Sequence, residues 1–310
     1  MRRSLPSPLP RRNGLEPACL RLPEGEWPSL RQHLIERLPW EDPARIAEML
    51  AGGEIVTREG PLGLHAPYVA GSRIWFHRDL PDEVAVPFEV EIVHRDDDIL
   101  VVDKPHFLAT IPRGRHVLQS ALVRLRRDLD LPELSPAHRL DRVTAGLVLM
   151  VIRPERRGAY QTLFMRQRIR KEYEAIAPYD PQLTFPRTVR TRIIKEVGVV
   201  AIKPSNGPPN SLTEIDLIEH RDGLGRYRLL PASGRTHQLR THMSGLGVPI
   251  LGDELYPVVT DKSLGDFSRP LQLLAKSLEF VDPVSGEERR FESRRTLRAW
   301  TSYDEWDAPR

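Results

Sequence analysis

The chain has 310 residues, a formal net charge of +3 at pH 7, and 40% hydrophobic and 29% charged residues. Such a composition excludes wholesale disorder and a collagen-like fibre, and it is ordinary for a soluble globular protein. The longest apolar run, Leu147 to Ile152, is too short to span a bilayer, and the single cysteine, Cys19, excludes a disulfide framework or a cysteine zinc cluster within the chain. The N-terminal residues contain no apolar signal segment, so we expect a cytoplasmic protein without membrane contact.

Charge is distributed unevenly along the chain. Residues 21–90 hold 7 arginines against 12 acidic residues, whereas residues 104–176 hold 15 basic residues against 7 acidic ones. A basic middle region is typical of a surface that faces a polyanion such as a nucleic acid. Because arginine outnumbers lysine 40 to 6 in the whole chain, genome composition is an equally good explanation of the basic excess.

The first 83 residues are predicted to form a tail and a small module. Residues 1–20, with their prolines and arginines, are predicted to be a flexible tail. Residues 21–83 are predicted to form a small module of short helices and strands, in which the second helix begins at Asp42 and Pro43. Apolar residues at helical spacing mark the two helices: Leu30, Leu34, Ile35 and Leu38 in the first, and Ile46, Met49 and Leu50 in the second. The predicted strands are residues 54–57 and 71–76.

Residues 84–300 are predicted to form one larger domain, followed by a C-terminal tail over residues 301–310. Runs of β-branched and apolar residues predict six strands, over residues 90–93, 99–102, 147–152, 173–177, 197–202 and 227–230. Two helices are predicted over residues 155–168 and 236–246, and Gly247 ends the second one. Strands and helices that mix without strict alternation predict an α+β domain.

A polar cluster at residues 138–146 runs directly into a predicted strand. Asp141 lies between Arg139 and Arg142, and as alternate residues Arg139 and Asp141 share a face of an extended segment. A nearby cation favours the charged carboxylate that a nucleophile needs, so Asp141 is a candidate catalytic residue. The same residues allow an alternative, in which Asp141 is bonded to local backbone in a strand-entry turn and paired with a surface arginine.

A second polar segment covers residues 233–242, where Gly234 permits a tight turn before a helix start. A helix N-terminus with Arg235 nearby is a natural phosphate site, although a solvated polar helix end is the alternative. His237 and His242 are five residues apart and lack the H-E-x-x-H pattern, so no metal site is predicted.

Tyr173 follows a basic run at residues 166–171 and lies on a predicted strand. A tyrosine ring is suited to stacking on a flipped base, and a basic run is suited to holding phosphates. A core tyrosine behind a solvated charge run is the alternative. The sequence contains no P-loop, no G-x-G-x-x-G, no G-x-S-x-G and no kinase signature, so the commonest nucleotide-using and acyl-transfer classes are excluded.

Taken together and in this order, the segments resemble the RluA-type pseudouridine synthases. HRLDRVTAGLVLMV, from His138, resembles the family motif H-R-L-D-x-x-T-S-G-L around the catalytic aspartate, and RKEYEAI, from Arg170, resembles K-x-Y-x-A. GRTHQLRTHMSGLGVPILGDELY, from Gly234, resembles G-R-T-H-Q-I/L-R-x-H followed by G-x-P-I-x-G-D-x-x-Y. ILVVDKP and AKSLEFVDPVSGEERRFES are similar to the family's opening and closing segments, so the resemblance spans residues 99–293.

The resemblance implies a catalytic domain built on a mixed, largely antiparallel sheet. It also implies a reaction that breaks the uridine N–C1′ bond, rotates the base and rejoins it through C5, with no cofactor and no metal ion. The catalytic residues that it implies are Asp141, Tyr173 against the target base, and Arg240 paired with Asp141. The binding residues that it implies are Arg139, which takes the place of the displaced uridine, Leu239, which packs beneath the base, and Arg235, His237, Gln238 and Thr144.

The small module, over residues 27–76, resembles the alpha-L RNA-binding motif that often precedes this catalytic domain, although here the segment is acidic. Two departures occur in the catalytic part. Ala145 stands where the family has serine after Thr144, and His106-Phe107-Leu108 follow Lys104-Pro105 where a small residue and glycine are common. Neither departure touches the implied nucleophile, so they concern the choice of target.

We therefore expect an RNA pseudouridine synthase that acts on structured ribosomal RNA as a monomer. Transfer RNA as the substrate stays open, and so does a non-catalytic RNA-binding or assembly protein that retains the fold. A glycosidase is disfavoured, because that reaction uses two carboxylates that flank a sugar bond and only Asp141 has suitable surroundings.

Overall fold

The structure is a computed structural model that describes residues 7–80, 82–195, 199, 201–202, 204–260 and 262–308. The chain divides into two compact units, Met1–Asp82 and Glu83–Arg310. The strand predicted over residues 197–202 falls largely outside the described residues. None of the helices in the described ranges is long and apolar enough to cross a membrane.

The first unit contains two strands and two helices. Strand β1 (Ala18–Arg21) pairs antiparallel with β2 (Arg73–Phe76), and helices α1 (Leu30–Arg37) and α2 (Pro43–Ala51) lie between them in the chain. Each helix has a side-chain N-cap: Ser29 Oγ accepts from the backbone N–H of Gln32, and Asp42 Oδ1 accepts from that of Ala44. The predicted apolar stripes supply the core of this unit: Leu30, Leu34, Leu38, Ile46, Met49 and Leu50.

This unit differs from the sequence prediction in two places. Strand β1 lies within the last residues predicted to be a flexible tail, because the apolar side chains of Ala18 and Leu20 pack against the core of the unit. Residues 54–57 form no named strand; Val56 makes only isolated bridges, to Pro61 and Trp75.

Eleven strands in the described part of the second unit join into one sheet. They are β3 (Glu91–Arg95), β4 (Ile99–Lys104), β5 (Ser135–Pro136), β6 (Ala145–Val151), β7 (Ile169–Pro178), β8 (Arg187–Ile193), β9 (Pro204–Ser205), β10 (Ser211–Arg221), β11 (Leu224–Pro231), β12 (Leu273–Val281) and β13 (Glu288–Glu292). The main order is β3-β4-β6-β12-β7-β11-β10-β8-β9, with β5 on β6 and β13 on β12. β6 and β12 are parallel and the other pairs antiparallel, so the predicted α+β fold on a mixed, largely antiparallel sheet is confirmed.

The described part of the second unit also contains six helical segments. They are α3 (Ala121–Asp128), a 3₁₀ turn (Pro154–Arg156), α4 (Arg157–Met165), α5 (Gln238–Gly245), α6 (Arg298–Thr301) and α7 (Tyr303–Asp307). The last two lie at the end of the chain, where the sequence predicted a domain end and a tail. Helix α7 forms there because Trp306 is buried against an apolar cluster that includes Ile176 and Leu274.

Strands β4 and β6 are apolar on both faces because each face is covered by a helix. Alternate residues of β4, Leu100 and Val102, pack in one core cluster with α3, and Ile99 and Val101 pack in another with α4. This double burial explains why the sequence shows continuous apolar runs here. It also fixes the start of β6, immediately after the segment that carries Asp141.

Gly146 allows β6 to lie against β12. Its φ is +112°, and a β-carbon at this position would lie 2.3 Å from the carbonyl oxygen of Ala275. Because only glycine tolerates both conditions, the parallel contact between the two strands depends on this residue. The contact holds the end of the Asp141 segment against the centre of the sheet.

Candidate active site

Asp141 lies in a short loop that is hydrogen-bonded on both sides. The hydroxyl of Thr110 donates to the carbonyl of Leu140 (2.8 Å) and accepts from its N–H (3.1 Å), and the N–H of Thr144 donates to the carbonyl of Asp141 (3.1 Å). The Asp141 side chain is 33% exposed and faces a cleft. The loop therefore presents the carboxylate in a fixed place while leaving it accessible.

A fully buried lysine lies beneath this loop. Lys104 Nζ donates to the carbonyl oxygens of Pro105 (2.9 Å), Leu108 (2.8 Å) and Arg142 (3.4 Å). Burial lowers the pKa of Lys104 to about 7, although the nearby charge of Asp141 opposes this shift. The lysine thus ties the end of β4 to the residue that follows Asp141, a contact that sequence reasoning did not identify.

Arg240 faces Asp141 but is held by another carboxylate. Its side chain is 3% exposed on α5, and its Nε and Nη2 donate to the two oxygens of Asp253 at 2.7 and 2.6 Å. Its Nη1 lies 3.7 Å from Asp141 Oδ2, which is an ion-pair distance. Burial lowers the pKa of Arg240, but the hydrogen bonds and charge of Asp253 outweigh it and raise the pKa above the ordinary value. The predicted pairing therefore includes Asp253, which sequence reasoning left unassigned.

His237 is a second neighbour of Asp141. Its φ is +55°, a left-handed conformation that ends regular helix geometry, and for this reason α5 begins at Gln238 rather than at the predicted Thr236. Its Nδ1 lies 3.1 Å from the Tyr256 hydroxyl and its Nε2 lies 3.8 Å from Asp141 Oδ2. Burial lowers the pKa of His237, although the nearby charge of Asp141 opposes this shift.

Tyr173 and Leu239 form apolar walls of the same cleft. Tyr173 lies on β7 and packs against two core clusters, and Leu239 belongs to one of them. Burial raises the pKa of Tyr173 well above its usual range, and the charge of Asp141 adds to the effect. The hydroxyl therefore stays protonated at neutral pH, beside an apolar surface that suits a planar base.

The remaining predicted residues differ in how much their side chains are used within the protein. The Gln238 amide is fully occupied: its Nε2 donates to the Leu212 carbonyl and the Thr213 hydroxyl, while its Oε1 accepts from Ser233 and from the backbone of Arg235. Gln238 thus holds the loop before α5. Thr144 is buried, whereas Arg139 and Arg235 are exposed.

All nine residues that the resemblance implied lie around this one cleft. They come from the Asp141 segment, from β7, and from α5 with the loop before it: Arg139, Asp141, Thr144, Tyr173, Arg235, His237, Gln238, Leu239 and Arg240. An adjoining cleft shares Asp141 and is lined by further cations: Arg113, Arg142 and Lys195. In the described residues, no group of three or more His, Cys, Asp or Glu side chains is arranged to hold a metal ion.

Sequence reasoning assigned no role to three residues at this site, Lys104, Asp253 and Tyr256, and it named Lys171 only as the end of the basic run at residues 166–171. Two signals were available. Lys171 is two residues before Tyr173 and therefore on the same face of a strand. Asp253 and Tyr256 both lie in the matched segment GDELY. No sequence signal exists for the cage around Lys104, because its carbonyl partners come from turns.

Comparisons with known proteins agree with the geometry. Residues 98–245 match the family model described as RNA pseudouridylate synthase. The chain is 31% identical to ribosomal large subunit pseudouridine synthase D of Vibrio parahaemolyticus over 77% of either protein, and 30% identical to the dual-specificity RNA pseudouridine synthase RluA of Salmonella typhi over 64% of this chain and 90% of that one. Among solved structures, human RNA pseudouridylate synthase domain containing 1 is 28% identical with a TM-score of 0.53 and covers 69% of this chain and 86% of that one.

Proposed function

The chain belongs to the RNA pseudouridylate synthase family, and on this premise we propose that it isomerises a specific uridine of ribosomal RNA with Asp141 as the catalytic carboxylate. The reaction class follows from the family: the protein is an isomerase that converts uridine to pseudouridine in RNA. The observation that supports the assignment of residues is that Asp141, Tyr173 and Arg240, from three separate segments, line one cleft.

The chemistry requires a carboxylate at the glycosidic bond. The N1–C1′ bond breaks, the base turns, and a C5–C1′ bond forms; the hydrogen on C5 leaves as a proton while N1 takes up a proton, so uridine and pseudouridine have the same composition. Breaking a glycosidic bond builds positive charge on the sugar, and a facing carboxylate stabilises that charge. Asp141 is accessible from the cleft, and the positive charge of Arg240 lies 3.7 Å behind it, which suits it to this role.

The target base must leave its stack before its glycosidic bond is accessible, at a cost of a few kcal/mol. Tyr173 and Leu239 offer an apolar slot that would receive the base, and the protonated Tyr173 hydroxyl is available for proton transfer. Arg139 is exposed beside Asp141, and its side chain is long enough for the guanidinium to enter the place in the RNA helix that the base leaves. A guanidinium in the place of the base would offset part of the unstacking cost.

The choice of RNA is supported by the relatives. One relative that covers 77% of the chain is named for the large ribosomal subunit, which favours ribosomal RNA. That the protein acts as a monomer in the cytoplasm stays a proposal from the sequence. The relatives named for dual specificity favour a second candidate, an enzyme that modifies more than one RNA, of which transfer RNA is the natural second substrate. For the first unit we keep the proposal of an alpha-L-like RNA-binding module over residues 21–83.

The test maps pseudouridines in ribosomal and transfer RNA from cells that lack this protein, after rescue with wild type or Asp141→Asn. We expect one site in ribosomal RNA to be lost and to be restored by wild type alone. A lost site in transfer RNA as well would support the dual-specificity candidate. Restoration of the site by Asp141→Asn would overturn the assignment of the carboxylate.

A further inference from the structure

Lys171 ends the basic run at residues 166–171 that the sequence marked as suited to phosphates, and it lies in the cleft around Asp141, where the reaction has so far given it no role. It lies on β7 two residues before Tyr173, so both side chains leave the strand on the same face. Both side chains line the cleft that contains Asp141. The neighbouring residue Glu172 leaves the strand on the opposite face, as alternate strand residues do. Lys171 is therefore directed at the place where a flipped nucleotide would lie.

The partners of Lys171 leave most of its donor capacity unused. Its Nζ donates to the carbonyl oxygen of Ser233 at 2.9 Å, and within the described ranges no carboxylate lies within ion-pair distance of it. An ammonium group has three N–H donors, so this one contact leaves two of them without a protein acceptor among the described residues. Burial lowers the pKa of Lys171 to about 8. The protein thus holds a half-buried cation without a counter-ion.

The surroundings keep the ammonium group open to a ligand. Gly234 lies beside it, and a β-carbon at that position would be only 3.9 Å from Lys171 Nζ. A longer side chain there would cover the group, whereas glycine leaves it accessible. Because uracil is neutral, the anion that a uridine nucleotide brings into the cleft is its phosphodiester. A half-buried cation gains most from such an anion, since hydrogen bonds between charged groups are the strong ones.

We propose that Lys171 Nζ binds a phosphodiester that flanks the target uridine and so fixes the sugar of the flipped nucleotide against Asp141. Lys171 is then a positioning residue for the isomerisation and not part of the bond exchange. The proposal rests on the proposed entry of a flipped uridine into this cleft. It adds a residue that grips the nucleotide through its backbone and therefore carries no preference for a base.

The test combines a change in the protein with a change in the RNA. Binding is measured for a synthetic stem-loop RNA that carries the mapped target uridine, with wild type and with Lys171→Met. In two further RNAs one flanking phosphodiester, on the 5′ or the 3′ side of the target, is replaced by a neutral methylphosphonate. Each methylphosphonate RNA is compared with a reference RNA that keeps the phosphodiester at that position and carries the same 2′-blocked sugar. On the phosphodiester RNA we expect Lys171→Met to bind about tenfold more weakly, as loss of a charge-assisted hydrogen bond predicts.

The decisive result is the coupling between the two changes. If Lys171 binds one of the two phosphates, the RNA with a methylphosphonate at that position should be bound about equally by wild type and by Lys171→Met. The proposal would be overturned if Lys171→Met lost the same affinity on both methylphosphonate RNAs as on the phosphodiester RNAs. The lysine would then act through the fold alone. As a second readout, the slope of log K against log salt should fall by about one in Lys171→Met. An unchanged slope would also contradict the proposal.

Two control variants separate this role from others. Arg290→Met removes the same charge from β13, where the Arg290 side chain is 68% exposed and pairs with Glu279, so the RNA affinity of this variant should change less than about twofold. Lys171→Arg keeps the charge and should retain most of the affinity, which guards against a folding defect in Lys171→Met. Wild-type turnover of the unmodified stem-loop tests the proposed function separately. Turnover without coupling would overturn only the role of Lys171, whereas absence of turnover would count against the proposed substrate.

Discussion

Two arginines face Asp141, and the protein treats them in opposite ways. Arg240 is buried and held by two hydrogen bonds with Asp253, so its geometry is set before RNA arrives. Arg139 is exposed and makes no hydrogen bond or ion pair with any described residue. This difference supports the proposal of a division of labour, in which Arg240 orients the carboxylate and Arg139 is available to the RNA.

Among changes to the two arginines and the groups that hold them, the largest effect is expected from Asp253→Asn, which would leave Arg240 buried with a neutral partner. Breaking a buried ion pair costs about 3 kcal/mol or more in the free energy of unfolding. We also expect kcat to fall by about a hundredfold, because the guanidinium would no longer be fixed against Asp141. Urea unfolding and single-turnover assays measure the two quantities.

The matched control is Asp216→Asn, which removes a carboxylate from the half-exposed pair with Arg228 on neighbouring strands. A surface pair contributes less than about 1 kcal/mol, so this variant should be close to wild type in both assays. Equal losses in the two variants would show that Asp253 has no special relation to the site.

The stability of the fold around α5, the helix that carries Arg240, should also be sensitive to acid. His242 on α5 is hydrogen-bonded to the hydroxyls of Thr191, Ser211 and Thr213, and burial lowers its pKa to about 4. The pKa of His242 is lower in the folded protein than in the unfolded protein, so the unfolded protein takes up a proton first as the pH falls. The contribution of neutral His242 to stability is therefore fully present above about pH 6.5 and is lost as the pH falls towards 4. The slope per such histidine is at most about 1.4 kcal/mol per pH unit.

The measurement is the free energy of unfolding in urea at several pH values. Desolvation also lowers the pKa values of the half-buried His106 and His138, to about 4 and about 3, and these two residues add to the same slope. The slope should be smaller in His242→Gln, a variant that cannot take up the proton. An unchanged slope in that variant would show that His242 does not contribute.

A smaller effect is expected from Arg139→Ala. If this arginine takes the place of the displaced uridine, its loss should lower kcat/KM by about tenfold on a stem-loop whose target base is stacked. On an RNA whose target is already unstacked, the loss should be clearly smaller. Equal losses on the two RNAs would contradict the division of labour, since a positioning role would not depend on the state of the base.

The smallest effect is expected in the salt dependence of Arg139→Ala. An arginine that enters the space of a base contributes little to the release of counterions, so the slope of log K against log salt should change by less than about one. A reduction by one or more would assign Arg139 to phosphate binding.

The sequence indicated the site better than it indicated the fold. The nine implied residues lie around one cleft, and the resemblance, not the local pattern of each segment, is what indicated them. The strand β12 was not predicted, although turn residues follow it at 282–286 and it lies near the centre of the sheet. Pairing partners are set by contacts between distant residues, which a local pattern does not encode.

The missed site residues have the same explanation. Asp253 binds Arg240 across thirteen positions of chain, and Lys104 binds carbonyl groups of turns, so the matched segments that contain these residues do not indicate their partners. Gln238 shows the converse: its motif suggested contact with the substrate, but its amide is fully used by Leu212, Thr213, Ser233 and Arg235. A motif thus identifies residues that the site needs without saying which of them touch the substrate.

The most direct test of the central claim is the release of tritium from RNA labelled at C5 of uridine, because the C5 hydrogen leaves when the C5–C1′ bond forms. Wild type should release tritium from the target site in a single turnover. Asp141→Asn should bind the RNA with similar affinity and release tritium at least about a thousandfold more slowly, as loss of a catalytic nucleophile or base does. Release by Asp141→Asn at a rate close to wild type would contradict the account.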